Sequence, residues 1–255
     1  MELARLFRKS IIILLLAIAA PGMAIAQVAD STRVANQASR ASFKASQLIA
    51  PGALMATGAI IHFTAHENID ITVNSYTSKW RGDNPTLNFD SYVRFLPEVM
   101  HLGLGLIGAE SEHDFSGRLI EGVWAIGSYA AIGFTLKTLV DSPRPDLEDN
   151  RSFPSGHAGI AFAGAELVRM EYGWGWGAGA YAVATGVCAM RLYNNKHWMS
   201  DLLFGAGAGI LCAHIGGWLL EPTQKVLGIN RSDVVISATV DPVCGAVCPL
   251  LTFNF

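Results

Sequence analysis

RLYNNKHWMSDLLFGAGAGILCAHIGGWLL, residues 191–220, runs from a polar, histidine-bearing segment straight into an apolar stretch rich in Gly and Ala. The apolar part, 202–220, approaches the length of a bilayer-spanning helix, and neither its period nor its length suits a strand. Comparable stretches recur at 46–64, 92–109, 119–138, 157–171 and 175–190. The sequence therefore predicts an all-α fold, a six-helix membrane bundle. Small residues in GAGAYAVATG (177–186) and FGAGAGI (204–210) let such helices approach closely. Trp174 and Trp176 stand at a helix junction, where an interfacial aromatic belt would hold them.

The bulk numbers agree with a membrane setting. The 255-residue chain is 51% hydrophobic and 15% charged, with a mean hydropathy of +0.34, between an ordinary soluble domain and a dense membrane bundle. A net charge of -3 with no basic stripe lacks the electrostatic footprint of a nucleic-acid binder. Arg5, Arg8 and Lys9 precede the apolar run 11–20, and Ala24-Ile25-Ala26 offers a small-x-small cleavage site. Residues 1–26 thus read as an export signal or an uncleaved signal anchor. No linker divides 27–221, which is expected to be one domain. The polar stretch 65–91 reads as a connection with one short surface helix, its His66 and Glu67 solvated. From 222 to 255 helical periodicity is lost; SDVVISATV (232–240) reads as a strand, and the chain ends on alternating apolar residues. Cys188 and Cys212 fall in apolar helices as small core residues, whereas Cys244 and Cys248 could form a short-loop disulfide or two free thiols.

Charge is scarce, so the cations of three short segments, KTLVDSPRP (137–145), PSGH (154–157) and RLYNNKHWMSD (191–201), carry information. A cation beside apolar helices is costly unless an anion answers it, and Lys137, Arg144 and Arg191 together ask for a shared one; a phosphoryl group fits. On a helix His197 and Asp201 share a face, so the carboxylate can hold one imidazole nitrogen while the other points at substrate. Pro154, Ser155 and Gly156 stand where the 157–171 helix begins, and free amides at a helix start bind anions. His157 at that start is positioned for general acid catalysis. No Asp/Glu cluster in the sequence suggests a metal.

Together the three segments resemble the type 2 phosphatidic acid phosphatase (PAP2) superfamily, which includes class A bacterial acid phosphatases and vanadium haloperoxidases. Its pattern, K-x6-RP, PSGH and SR-x5-H-x3-D, is met by Lys137, Arg144, Pro145, Pro154, Ser155, Gly156, His157, Arg191, His197 and Asp201. Met190 departs from it, standing where the family commonly has serine. The resemblance implies a metal- and cofactor-independent phosphatase that works through a phosphohistidine on His197. Asp201 would orient His197, His157 would serve the leaving group, and Lys137, Arg144, Ser155, Gly156 and Arg191 would bind phosphate. The expected partners are a lipid phosphate and the bilayer: a lipid A phosphate, undecaprenyl pyrophosphate or phosphatidylglycerol phosphate, met at the periplasmic face of a bacterial inner membrane. A soluble periplasmic acid phosphatase and a non-catalytic membrane interaction protein are the alternatives. One conflict stands: if all six stretches span after an exported start, the motifs face the cytoplasm; the alternatives are that 92–109, interrupted near its start by Pro97 and Glu98 and carrying His101, fails to span, or that the protein lies in the periplasm or another membrane.

Overall fold

A computed structural model describes residues 43–228, 234–240 and 247–253. The expected export signal, and the cysteine pair at 244 and 248, fall outside the described residues or their side chains. A 3-10 turn, Ala45–Leu48, leads into helix α1 (Ile49–Thr64), followed by α2 (Asp70–Arg81), α3 (Asp90–Val93) and α4 (Leu96–Gly103). After a second 3-10 turn, Leu104–Ile107, come α5 (Phe115–Leu139), α6 (Gly156–Tyr193) and α7 (Met199–Leu227), then strands β1 (Val234–Val240) and β2 (Val247–Phe253).

The helical bundle is as expected, with informative departures. The stretch 92–109, anticipated as one helix, is divided among α3, α4 and a 3-10 turn. Pro97 sits in the first turn of α4, where a missing N–H is tolerated, so the chain restarts there instead of continuing. Among the described residues three helices are long and apolar enough to cross a membrane: Ala45–Thr64, Phe115–Leu139 and Met199–Leu227. In the last of these 67% of the apolar window is buried, against 17% and 22% in the other two, so α7 is the central helix and α1 and α5 lie outside it. Outward apolar side chains such as Ile60 and Phe63 on α1, and Val123 and Phe134 on α5, give those helices the surface a bilayer accepts.

Helix α6 is a hairpin of two helices joined at Gly173, whose φ of 77° and ψ of −176° no helix contains. The Tyr181 hydroxyl donates to Glu166 Oε2 at 2.6 Å, and Phe162 meets the Tyr181 ring at 5.7 Å. Residues so far apart in sequence would be roughly 20 Å or more apart along a straight helix at 1.5 Å per residue. The arms therefore fold back on one another, and His157 and Arg191, at opposite ends of α6 in sequence, come to the same end of the bundle.

Close helix crossings hold that end together. A Cβ at Gly209 of α7 would overlap the carbonyl of Gly159, and one at Gly205 would stand 2.7 Å from the Ser155 carbonyl. Both glycines let α7 press against the first arm of α6. Gly209→Ala is expected to cost about 1–3 kcal/mol by forcing this crossing apart; a melt in detergent should show a lower Tm, and an unchanged Tm would refute the tight-crossing account. Asp70, fully buried at the start of α2, accepts from Ser200 N at 2.9 Å and Ser200 Oγ at 2.6 Å, fixing α2 to the start of α7. His66 pairs with Asp70 at 2.9 Å and is half-buried, so it is not simply solvated as the sequence suggested; Glu67 is exposed.

At the C-terminal side, α7 continues past residue 221 and through Pro222 to Leu227, ending on Gly228 with a left-handed φ of 65°. The expected boundary at 221/222 thus cuts a continuous helix. The strand read in 232–240 is present as β1, paired antiparallel with β2 from Val234 opposite Phe253 to Val240 opposite Val247. Cys188 and Cys212 are both free thiols, partly and fully buried.

Candidate active site

The three motifs meet at one end of the bundle because backbone and side-chain bonds tie them together. Ser155 caps α6, its Oγ accepting from Ala158 N at 3.4 Å, and its own N–H donates to the Asp201 carbonyl at 3.1 Å. Tyr129 of α5 donates to the Ser155 carbonyl at 2.7 Å. The Trp198 indole donates to the Pro143 carbonyl at 2.7 Å, joining the first motif to the third. Between α6 and His197 the chain turns through Asn195 at φ 53°, a left-handed conformation that asparagine tolerates. Asn194 clamps Leu87 in both directions, accepting from its N–H at 2.9 Å and donating to its carbonyl at 2.7 Å.

His197 is 2% exposed, with Nδ1 3.3 Å from Asp201 Oδ2 and 3.4 Å from Ser152 Oγ. Asp201 Oδ2 also accepts from Trp198 N at 2.9 Å and from the Ser152 hydroxyl. With Nδ1 turned to the carboxylate, Nε2 is the nitrogen left for substrate. Burial, then Arg191, Arg144 and Lys137, hold the His197 pKa well below its usual value, so the imidazole is neutral at pH 7.

The cations stand around it. Lys137 Nζ donates to the carbonyls of Arg151 at 2.6 Å and Ser152 at 3.5 Å. Arg144 pairs with Asp149 at 2.7 Å and reaches the Lys196 carbonyl at 3.5 Å. Arg191, 6% exposed, donates to Asp90 Oδ2 at 2.9 Å. The same Asp90 oxygen is 4.0 Å from His157 Nε2. Burial first, then Arg191 and Arg94, push the pKa of His157 down to about 2. Gly156 opens α6 beside them, and no atom lies within 4 Å of the Cβ it lacks. All eight residues expected from the sequence therefore belong to one end of the bundle.

Sequence reasoning missed Ser91, Asp90, Arg94, Ser152 and His62. Ser152 lies next to the PSGH segment, and a hydroxyl there could have been noticed. Asp90, Ser91 and Arg94 come from a stretch read as connector and span, and nothing local marks them. His62 Nδ1 stands 3.9 Å from Asp201 Oδ1. Met190 packs on the apolar cluster that contains Ala184 and Val187, which accounts for a thioether in place of a hydroxyl there.

Residues 119–221 match the PAP2 superfamily, and the match takes in all three motifs. A lipid A 1-phosphatase of Porphyromonas gingivalis is 44% identical to this chain over 81 residues, which are 31% of this chain and 18% of that protein. The chain thus spans under a fifth of that relative's length. Among solved structures, Aquifex aeolicus LpxE shares 22% identity over 56% of this chain and 92% of its own, with a TM-score of 0.43. A transmembrane PAP2 type phosphatidylglycerolphosphate phosphatase from Bacillus subtilis shares 20% identity over 71% and 98%, with a TM-score of 0.47.

A second cluster corrects the sequence reading that no acidic group suggests a metal. His113, Glu121 and Glu171 bring one ligand atom each within 4.8 Å of one another. His113 Nδ1 is 2.8 Å from Glu171 Oε2 and 3.7 Å from Glu121 Oε1. Glu121 precedes Lys137 on α5 by roughly 24 Å at 1.5 Å per residue, so this group is remote from the PAP2 motifs. Its members lie in three separate segments, which hid the grouping from the sequence.

Proposed function

We propose that this protein is a membrane-embedded, metal-independent phosphatase that hydrolyses a lipid phosphate through a phosphohistidine on His197. The observation that carries the reading is the carboxylate-held His197 among a set of cations that, among the described residues, outnumber their carboxylate partners. No carboxylate forms an ion pair with Lys137 or Arg94 among those residues, and such a cradle favours charge developing on phosphoryl oxygens.

In the first step His197 Nε2 attacks phosphorus, the bond to the leaving oxygen breaks, and His157 supplies its proton. In the second, water attacks the phosphohistidine, His157 accepts the water proton, and phosphate leaves. The cations around His157 disfavour its protonated form until a phosphate dianion enters, so substrate binding itself would raise its pKa and arm the acid. Lys137, Arg144, Ser155, Gly156 and Arg191 would hold the phosphate.

The outward apolar faces of α1 and α5 favour a lipid substrate over the soluble acid phosphatase alternative. The division of 92–109 bears on the facing. With an export signal leaving Gln27 outside, crossings by α1, α5, the two arms of α6 and α7 would bring the ends of α5 and α6 and the start of α7 to the periplasmic side. A reporter fused after Arg151 tests this. For the activity, the purified protein in detergent is assayed for phosphate release from lipid phosphates and from a small aryl phosphate. A clear catalytic preference for the small ester would reject the lipid reading.

Activity is expected to persist in excess EDTA and to be inhibited by vanadate, which the cationic cradle can hold as a trigonal bipyramid. Because the His113 group could bind a cation far from the site, the chelator assay reports on turnover and the melting temperature together. Loss of turnover on chelation, restored by a divalent ion at unchanged Tm, would reject the mechanism.

A further inference from the structure

Remote from the PAP2 motifs, the first turns of α5 and the end of the first arm of α6 meet the segment that carries His113, and buried carboxylates collect there. Glu121 and Glu171 are each 3% exposed. Glu171 is held from outside the group: its Oε1 accepts from the His113 backbone N–H at 2.6 Å, which leaves Oε2 to face His113 Nδ1 at 2.8 Å. The next residue, Asp114, fixes the segment by capping α5, its Oδ1 accepting from Gly117 N at 2.7 Å. Glu121 has no such support. It makes no hydrogen bond among the described residues, and its Oε1 is turned into the group, 3.7 Å from His113 Nδ1.

A carboxylate buried in an apolar bundle is costly unless a cation answers it. The charges nearby fall short. Glu98 of α4 adds a third carboxylate: a Cβ on Gly122 would overlap its Oε1, its Oε2 is buried without a hydrogen-bond partner, and it is close enough to repel Glu121. Arg118 is the buried arginine of this region, but it donates to the Tyr172 hydroxyl at 2.8 Å and forms no ion pair among the described residues. Even with His113 protonated, three carboxylates facing two cations leave the group negative.

Two carboxylate oxygens with one imidazole nitrogen suit a first-row divalent cation, whereas Mg²⁺ and Ca²⁺ prefer oxygen alone. Around a tetrahedral cation with bonds of about 2.0–2.2 Å, neighbouring ligand atoms stand roughly 3.3–3.6 Å apart. The separations of 2.8 Å and 3.7 Å bracket that range, so small rotations of the His113 and Glu121 side chains complete the set. We propose that His113, Glu121 and Glu171 bind one divalent cation of the zinc class, which ties the His113 segment to α5 and α6 and stabilises the fold without entering the phosphatase reaction. Binding displaces the proton that Nδ1 shares with Glu171, since a ligating imidazole nitrogen carries none. The His113 side chain is 22% exposed, which gives the cation a way in and leaves its fourth position to water.

The test uses the full chain in detergent, stripped with EDTA, dialysed, and then given Zn²⁺, Mn²⁺ or Mg²⁺ before thermal melts and elemental analysis. Zn²⁺ at about a hundred times its Kd is expected to raise Tm by roughly 5 °C or more. Mn²⁺ should bind more weakly, and Mg²⁺ should leave Tm unchanged. Glu121→Gln, which keeps the shape of the side chain and removes its charge, and His113→Ala should each lose both the shift and one equivalent of bound zinc. Each variant is compared with its own metal-free melt, so a change in basal stability does not enter the readout. The thiols of the chain also attract zinc, which is why the variants decide. Zinc retained equally by the wild type and both variants would overturn the inference, as would a wild-type Tm that no cation moves. Neither readout involves turnover, so the phosphatase reading stands or falls separately.

Discussion

Replacing His197 with alanine is expected to abolish turnover, by roughly 10⁴-fold or more, because the proposed mechanism places the covalent intermediate on its Nε2. His157→Ala is expected to fail differently. With a leaving group that departs without a proton, such as an aryl phosphate, the variant should still phosphorylate His197 slowly and then hydrolyse it slowly, since water lacks its base. The measurement is trapping of an acid-labile, radiolabelled phosphoenzyme after rapid quench, alongside steady-state phosphate release. The prediction separates the two histidines because their surroundings differ. His197 is 2% exposed and fixed by Asp201 and Ser152, whereas the His157 side chain is 16% exposed and stands among arginines. A phosphoenzyme that forms in His197→Ala, or equal residual rates in the two variants, would reverse or remove the assignment.

The parts of this site that were legible in the sequence are those encoded by short spacings. His197 and Asp201 lie one helical turn apart, and Ser155 to His157 span a helix start; local geometry fixes both without knowledge of the fold. Arg191 was legible as a cation but not in its setting, since its carboxylate partner is Asp90, in a stretch of quite different composition. Such a pair is set by tertiary packing and leaves no periodic trace. The same holds for Arg94 and Ser91. Ser91 ends the polar connector and Arg94 opens the apolar stretch 92–109, whose Pro97 and His101 mark it in the sequence as a doubtful span; in the fold Pro97 and the buried His101, whose Nε2 meets the Arg118 carbonyl at 3.1 Å, hold it as short pieces against the bundle. The α6 hairpin was anticipated as two helices with tryptophans at the junction, and Gly173 supplies the backbone conformation that makes the reversal possible. The helix past Pro222 was not anticipated, because proline and loss of apolar period both argue for an end that packing overrides.

Asp201→Asn distinguishes two roles that the carboxylate combines. Trp198 N, the Ser152 hydroxyl and His197 Nδ1 all address the same oxygen, Oδ2, while Oδ1 is buried, lacks a hydrogen-bond partner and is 3.9 Å from His62 Nδ1. An asparagine can keep its carbonyl oxygen at the Oδ2 position and turn its amide toward the Oδ1 position, so the contacts that orient His197 survive. What disappears is the negative charge. A phosphorylated imidazole is cationic, and in a buried site surrounded by Lys137, Arg144 and Arg191 a neighbouring carboxylate is needed to offset it. Asp201→Asn is therefore expected to lower kcat by roughly 10²–10⁴-fold with only a small change in Tm. Asp201→Ala should in addition destabilise the fold by about 1–3 kcal/mol, because the Trp198 N–H and the Ser152 hydroxyl lose their acceptor. Steady-state rates and melts on the same preparations check both. An Asp201→Asn variant with near wild-type kcat would mean that Asp201 acts by orientation alone, and stabilisation of the phosphohistidine would then have to come from elsewhere in the site.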